Sequence, residues 1–530
     1  MRVVPDHEGT PERPGAAMLH DSPAARGVDP KKEILRPLLP VGPPRGRRQG
    51  PRCDEGAELG VRIAAETSAL WGGSEPGGCS GLSRSAVDGS ARPSRPSVSQ
   101  VATLVLVLLY PCFFSVLPRG IGQAAFVLGC SLVCLSAFGS WRWTTAPPGA
   151  LSLIWIMLAV YASASAAAGY GSFAYAVPLF SLAVLTALAS GDRRGWVAWA
   201  FRVLVAMCLI HAAATILFYA VPGLYESLIS PRFFTDSVRP LDYRSGLTSN
   251  RAYNATYCAV GFLITSAVAL TRARSGVLRA AALPAVFLFA LLLADKRAHL
   301  LYSVLALVLM ALAFNSRRVR VRSLVAGLAG VVIIAGVASV STGVADSLAR
   351  LTGTLDAADP EAALSGRPLL WRAALAGWAE HPVFGWGWGS FTFTWPGSTT
   401  VSVIAHNQLL NSAYEGGIVG LVLVVAATVG SWAFVLHRTR EAVRGDGAHH
   451  ERAPLLAICL ALQTYFLLYS FTGGELLSKP YSFVIYLLSV GAAFSLSPPR
   501  AGTEAVPGAV ERTATRAGAA ALKSDRGVAE

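Results

Sequence analysis

Long apolar stretches recur along most of this chain and are separated by short polar connections. Twelve of them are long enough to cross the hydrocarbon core of a bilayer, which takes a helix of about 20 residues. Their centres lie near Val107, Gly129, Met157, Ser181, Cys208, Ile264, Phe287, Leu305, Val332, Val424, Leu462 and Tyr486. The pattern predicts an all-α fold, a polytopic transmembrane helical bundle of about twelve spans.

The two ends of the chain have a different composition. Residues 1–97 are rich in Pro, Gly, Arg and Ser and show no sustained apolar period, and residues 498–530 are similar. Such segments bury too little apolar surface to fold, so we expect disordered tails on either side of a membrane domain at 98–497. Because the first long apolar run begins near residue 98, no cleavable signal peptide is expected.

Basic residues in alternate connections predict the orientation of the bundle. Short loops rich in Lys and Arg stay in the cytoplasm. The clusters are Arg193 and Arg194; Arg272, Arg274 and Arg279; Arg317, Arg318, Arg320 and Arg322; and Arg438, Arg440, Arg444 and Arg452. This pattern predicts a multi-pass protein of the inner (plasma) membrane with both termini cytoplasmic. The connections 221–252 and 342–413 are then external, and the larger one separates the ninth and tenth spans.

Composition supports a membrane protein and excludes other classes. The chain is 53% hydrophobic and 14% charged, with a mean hydropathy of +0.48. The formal charge of +14 is spread over short loops and tails, which indicates contact with the lipid bilayer and no nucleic-acid partner. The 8 cysteines show no CxxC pair, so we predict neither a metal site nor a disulfide framework.

Two external segments carry basic residues that break the charge rule. Arg244 and Asn250 precede the sixth span in "DYRSGLTSN". The short connection between the seventh and eighth spans carries four polar residues, Asp295, Lys296, Arg297 and His299. Arginine offers a planar fork of donors suited to diphosphate oxygens. Two alternatives stay open: Arg244 contacts lipid headgroups, or Asp295 pairs with Lys296 or Arg297 and simply closes a hairpin.

The large external loop contains "SGRPLLWRAALAGWAEHPVFGWGWGSF". Ser365 is the expected cap of a short helix with Pro368 in its first turn, and this helix should end before Pro382. Apolar and aromatic positions recur at helical spacing, so the helix lies along the membrane interface or packs on the bundle. Trp386 and Trp388 alternate with glycines and present flat faces for stacking on a sugar or for anchoring at the interface.

The segment "AHNQLLNSAYEGGIVGL" sets a polar pair against the start of the tenth span. Ionisable groups are costly at this depth and are usually functional. His406 is the acid/base candidate because histidine changes charge near neutral pH. Asn407 is adjacent to it, and Glu415 follows about two helical turns later. The alternative is a histidine that only hydrogen-bonds a loop carbonyl.

Together these segments resemble one known family. The order "GR…LW…HPVFGWGWGSF…AHNQLLNSAYEGGIVGL" resembles the C-terminal signature of the O-antigen ligase and polymerase superfamily of bacterial membrane proteins, which includes exopolysaccharide polymerases. "RSGLTSN" and "DKRAHLL" resemble its two other basic motifs. The resemblance covers spans six to ten. Lys296 departs from it, since many members carry a serine there.

The resemblance implies a glycosyltransferase that needs no metal, nucleotide or other cofactor. Its donor would be a glycan on a polyprenyl diphosphate, and its acceptor a hydroxyl on a glycan or lipid. Arg244 and Arg297 would bind the diphosphate and stabilise its developing charge, and His406 would be the general base. The further residues expected to bind substrate are Asn407, Asn250, Lys296, Arg367, Trp386, Trp388 and Glu415.

Ligation and polymerisation are equally compatible with these residues. A secondary transporter of a small solute and a non-catalytic assembly scaffold are the alternatives from other classes. The two halves of the chain show no obvious repeat and no pair of spans broken by Gly or Pro, which argues against the transporter.

Overall fold

The computed structural model describes residues 149–167, 194–228, 243–248, 250–271, 277–314, 317–340, 366–394, 400–402, 404–444, 452–473, 476–477 and 480–496. Every structural statement below concerns these residues. Both predicted tails, and the predicted spans centred near Val107, Gly129 and Ser181, lie outside them.

Helices account for nearly all of the described residues. The eleven α-helices are α1 (Gly149–Ala167), α2 (Arg194–Ala220), α3 (Pro222–Leu228), α4 (Arg251–Thr271), α5 (Val277–Leu293), α6 (Arg297–Phe314), α7 (Arg317–Val340), α8 (Arg367–Glu380), α9 (Gln408–Arg444), α10 (Ala453–Ser470) and α11 (Pro480–Ser495). A 3₁₀ turn at Tyr243–Ser245 precedes α4. Every predicted span centre that falls within the described residues lies in one of these helices, which confirms that those spans are helical.

Five of the described helices are long and apolar enough to cross a membrane. These segments are Val197–Ala220, Arg251–Thr271, Arg297–Phe314, Gln408–Arg444 and Ala453–Ser470. Shorter apolar segments lie in α1, α5 and α11. The chain is therefore a multi-pass helical membrane protein, while the total of twelve spans stays a prediction.

Burial separates central helices from lipid-facing ones. The apolar windows of α4 and α10 are 83% and 78% buried, and α2, α5, α6 and α9 pack around them. By contrast, α6 and α9 each keep an exposed apolar stripe, which includes Leu301 and Leu312 on α6 and Val422 on α9. A helix that is apolar on all sides belongs in the middle of a bundle, and a helix with one exposed apolar face borders lipid.

The connection between α7 and α9 contains a helix and a small hairpin. Helix α8 ends before Pro382, as predicted. Its N-cap residue is Gly366, with φ 75° and no side-chain cap hydrogen bond, so the expected cap at Ser365 is wrong. The unpredicted hairpin pairs β1 (Thr392–Thr394) with β2 (Thr400–Ser402) in antiparallel register.

A second, smaller core holds this connection against the bundle. It is formed by Leu370 and Ala374 of α8 with Phe391 and Ala405, and Tyr414 of α9 packs against it. The sequence left two positions open for α8, along the membrane interface or packed on the bundle. The structure shows α8 packed on the bundle. The same contacts bring the end of the connection to the start of α9.

Candidate functional site

The starts of α6 and α9 and the end of α10 lie at one end of the bundle. In α6, His299 Nδ1 lies 2.5 Å from the Tyr465 hydroxyl, and its ring packs 4.6 Å from that of Tyr469. Beyond α10, the Gly473 carbonyl lies 3.4 Å from His406 Nδ1, just before α9. His406 and the start of α6, where Arg297 lies, are thus joined through the last turn of α10.

Arg244 reaches the same end through an ion pair. Its Nη1 lies 3.4 Å from Oδ2 of Asp295, and the two side chains are 20% and 9% exposed. Asp295 occupies the turn between α5 and α6, where it adopts φ 54°. The ion pair therefore joins the two basic external segments that the sequence singled out, and places Arg244 close to the turn that leads into Arg297.

Buried polar contacts hold the Arg244 turn in place. The Asn254 Nδ2 group of α4 donates to the Arg244 carbonyl at 2.9 Å and to Thr215 Oγ1 of α2 at 2.7 Å. Asn254 is fully buried. These contacts join the turn that carries Arg244 to both α2 and α4 and thereby fix its position.

Asn250 and Asn407 both act as helix caps. Asn250 is exposed and its Oδ1 accepts from the Ala252 amide at 2.8 Å at the start of α4. Asn407 Oδ1 accepts from the Leu409 and Leu410 amides at 3.0 and 3.2 Å at the start of α9. Asn at this position satisfies amides that have no partner within the helix. The expected substrate contacts of both residues stay predictions beside this structural role.

His406 has a constrained backbone and a defined ring contact. Its φ of 51° is uncommon for a residue that carries a β-carbon. Because the Gly473 carbonyl can only accept, a hydrogen bond in this contact uses a proton on Nδ1, and in that tautomer the lone pair of the neutral ring lies on Nε2. The structure thus shows the carbonyl contact of the simpler interpretation, and the role of His406 as a base stays a prediction.

Residues 382–391, called the Gly–Trp loop below, pack into a break in α9. At Gly417 the helix is interrupted, with φ 58° and ψ −161°. The four backbone hydrogen bonds across the break run from Ile418 to Pro382 (2.8 Å), from Val419 to Val383 (3.3 Å), from Trp386 to Tyr414 (2.9 Å) and from Gly387 to Glu415 (2.8 Å). The loop thus satisfies amides and carbonyls that a continuous helix would have paired internally.

Two glycines permit this close approach. A β-carbon on Gly417 would lie 2.2 Å from the Val383 carbonyl oxygen, and one on Gly385 would lie 2.5 Å from the Glu415 carbonyl. Both glycines also have positive φ. The Tyr161 hydroxyl of α1 completes the junction, 3.0 Å from the Phe384 carbonyl and 2.9 Å from the Gly416 carbonyl.

Glu415 contacts protein atoms in this arrangement. It is 1% exposed, and its carboxylate accepts hydrogen bonds from the amides of Gly389 and Phe391 and from the Asn411 side chain, while its Oε2 atom has no hydrogen-bond partner among the described residues. A buried carboxylate is stable only when hydrogen-bonded. Glu415 therefore holds the Gly–Trp loop on α9, and its expected contact with substrate stays a prediction.

The two tryptophans of the loop differ in exposure. Trp388 is 3% exposed and belongs to the main core, so its faces are covered by protein. Trp386 is half-buried, donates to the Gly377 carbonyl at 2.8 Å, and packs its ring 3.9 Å from that of His381. Of the two sugar-stacking candidates, Trp386 is the more accessible.

A comparison with known families agrees with this geometry. A family model described as O-antigen ligase matches residues 259–425, from within α4 to within α9. Residues 259–425 are thus similar to the O-antigen ligase family. This confirms the resemblance seen in the sequence, and it does not favour a solute transporter. Comparison with curated proteins gave no match.

The O-antigen ligase match includes some predicted site residues and leaves others outside. Arg297, Lys296, Arg367 and His406 lie within the matched span, whereas Arg244 precedes it and is connected to it by Asp295. Lys296 is half-buried, and its carbonyl accepts from the His299 amide at 3.1 Å at the start of α6. Arg367 is half-buried at the start of α8.

Sequence reasoning missed several residues that shape this ligase-like site. They are Asn411, Gly473, Tyr465 and Tyr469. Asn411 follows Asn407 by one helical turn in "HNQLLN", which is the only local signal among them. The tyrosines resemble ordinary apolar positions of a span, since their contacts come from other helices.

Proposed function

We propose that this protein is a membrane glycosyltransferase that moves or polymerises a polyprenyl-diphosphate-linked glycan onto an acceptor hydroxyl at the external face of the inner membrane. The family match supports the class of reaction. The observation that carries the proposal is the Arg244–Asp295 ion pair, at the end of the bundle where His406 meets Gly473.

Arg244 and Arg297 would bind the diphosphate of the donor. Both are half-buried, beside one carboxylate at Asp295 and a further cation at Lys296. An arginine fork matches adjacent phosphate oxygens, and partial burial strengthens its attraction to an anion. As the bond between the anomeric carbon and the diphosphate oxygen breaks, the bonding electrons stay on the diphosphate. The two guanidinium groups would stabilise that charge.

His406 would activate the acceptor. With the proton on Nδ1 directed at the Gly473 carbonyl, Nε2 is able to take the proton of an acceptor hydroxyl. The acceptor oxygen then forms the new bond to the anomeric carbon while the diphosphate leaves. Proton, nucleophile and leaving group are all accounted for by residues of this chain and its two substrates.

The chain direction supports an external site. Helices α6 and α9 both start at the site end, so their other ends lead to Arg317, Arg320 and Arg322 in one case and to Arg438 and Arg444 in the other. Basic ends of this kind face the cytoplasm. The site end would then face outward. Both termini are expected on the opposite, cytoplasmic side of the membrane.

The test is transfer by the purified full-length protein in nanodiscs with a lipid-linked oligosaccharide. We expect either lengthened chains or glycan on a second lipid, read by mass spectrometry, which separates polymerase from ligase. His406→Ala and Arg297→Ala should each lower the rate by about 10²–10⁴-fold. His381→Ala is the matched histidine control, because His381 is exposed in the same external connection.

Full activity of a correctly folded His406→Ala protein contradicts the mechanism. Uptake of a solute into proteoliposomes without any covalent product would instead support a transporter. Normal glycan assembly in cells that carry the His406→Ala protein would support a scaffold.

A further inference from the structure

We infer that Trp371 and Asn411 are positioning residues that hold the peptide groups of Ala405 and thereby orient His406. The inference rests on the proposed role of His406 as the base. It concerns two side chains that need not touch either substrate, one on α8 and one on α9.

Both polar backbone atoms of Ala405 are held by side chains. Its amide donates to Asn411 Oδ1 at 3.2 Å, and its carbonyl accepts from Trp371 Nε1 at 3.0 Å. Ala405 is fully buried; its hydrogen bond to Asn411 is buried, and the one from Trp371 is partly buried. The residue directly before His406 is therefore fixed from two different helices.

The residue after His406 is fixed as well. Asn407 caps α9 through its side chain, and its carbonyl accepts the Asn411 amide at 2.9 Å. Between these anchors His406 adopts φ 51°. A non-glycine residue keeps such a conformation only where its surroundings impose it. Trp371, Asn411 and the cap provide that constraint.

Asn411 also links His406 to the Gly–Trp loop. Its side chain hydrogen-bonds the Glu415 carboxylate, which in turn accepts from the amides of Gly389 and Phe391. Asn411 thus contacts both the residue before His406 and the carboxylate that holds the loop on α9. A general base works only within hydrogen-bond reach of the proton that it removes, so a displacement of about 1 Å lowers the rate by about a hundredfold.

Trp371→Phe and Trp378→Phe form a matched pair for the test. Both tryptophans lie on α8 and donate to a backbone carbonyl, but Trp378 donates to Pro382 at 3.1 Å, away from Ala405. Each substitution removes one indole donor and keeps an aromatic ring. Asn411→Leu removes the other Ala405 contact at similar volume, and Trp371→Phe is sufficient alone if that variant misfolds.

The first measurement does not depend on activity. Diethyl pyrocarbonate acylates neutral histidine, and peptide mass spectrometry of the full-length protein in detergent gives the rate at His406. His437, which is exposed at the far end of α9, is the internal standard. Loss of one buried hydrogen bond should raise the His406 rate about fivefold in Trp371→Phe, whereas Trp378→Phe should match the unaltered protein.

The second measurement is steady-state glycan transfer. Trp371→Phe should lower kcat by about tenfold to a hundredfold with an unchanged KM for the lipid-linked donor, since the arginines are untouched. Trp378→Phe should keep both constants. An unchanged His406 acylation rate or an unchanged kcat in Trp371→Phe overturns the inference, as does an equal loss of kcat in both variants.

The two proposals fail in different ways. If Trp371→Phe accelerates acylation of His406 but His406→Ala retains full activity, the constraint on His406 is real and the proposed catalytic role is wrong. If His406→Ala is inactive and Trp371→Phe behaves like the unaltered protein, the catalytic role stands and the positioning role is wrong.

Discussion

Arg244 and Asp295 form an ion pair, with 3.4 Å between Nη1 and Oδ2, that joins the turn before α4 to the turn between α5 and α6. The carboxylate is nearly buried, and the guanidinium group is one-fifth exposed. This geometry leaves Arg244 oriented by a protein partner while part of its surface stays open to a ligand. Asp295 is thus a candidate for aligning the arginine with a diphosphate.

Asp295→Asn should lower glycan transfer about tenfold, because a hydrogen bond to a charged group contributes about 1.5–3 kcal/mol and the amide keeps only the shape of the carboxylate. The measurement is kcat and donor KM. The matched control is Glu441→Gln, which removes the exposed ion pair with Arg438 at the far end of α9. Such surface pairs contribute little, so equal activities of the two variants would contradict this prediction.

Asn407→Ala should destabilise the protein by about 1 kcal/mol through loss of the cap of α9. Asn407→Asp keeps an acceptor oxygen and should retain stability, as measured by thermal denaturation in detergent. Asn250→Ala and Asn250→Asp provide the same comparison at α4. If Asn407→Asp is stable but loses transfer activity, the amide contacts substrate as the sequence predicts.

Gly417→Ala should prevent stable folding, because the β-carbon would lie 2.2 Å from the Val383 carbonyl oxygen at a φ of 58°. The expected result is little or no protein in the membrane, measured by quantitative blotting. Gly327→Ala is the control, since a β-carbon there meets no atom within 4 Å in helix α7. Normal accumulation of Gly417→Ala would rule out the helix break.

Glu415→Leu should lower the free energy of unfolding by about 1–3 kcal/mol, because the buried amides of Gly389 and Phe391 would lose their acceptor. Tryptophan fluorescence during denaturation in detergent provides the measurement. Glu380→Gln, at the exposed end of α8, should be neutral. Unchanged stability with a large loss of transfer would support the substrate contact predicted for Glu415.

Local pattern predicted the described helices and the family that the chain resembles. Apolar runs identified the positions of α1, α2, α4–α7 and α9–α11, because the length and hydropathy of a span are properties of consecutive residues. The motifs around Arg297 and His406 predicted the O-antigen ligase family, which the match at 259–425 confirms. The orientation of the bundle and the roles of the site residues remain predictions.

Tertiary structure alone decided how those motifs are held. The break at Gly417 and the packing of the Gly–Trp loop depend on backbone amides and carbonyls, which every residue type supplies and which therefore leave almost no trace in the sequence. The same holds for Ala405, whose two side-chain partners lie on different helices. The sequence by itself determined the apolar spans and the polar motifs from which the chemistry is proposed, because both are properties of neighbouring residues. Only the long-range packing decided that Arg244 meets Asp295 and that His406 follows an immobilised peptide, because contacts between distant segments depend on how the helices pack together.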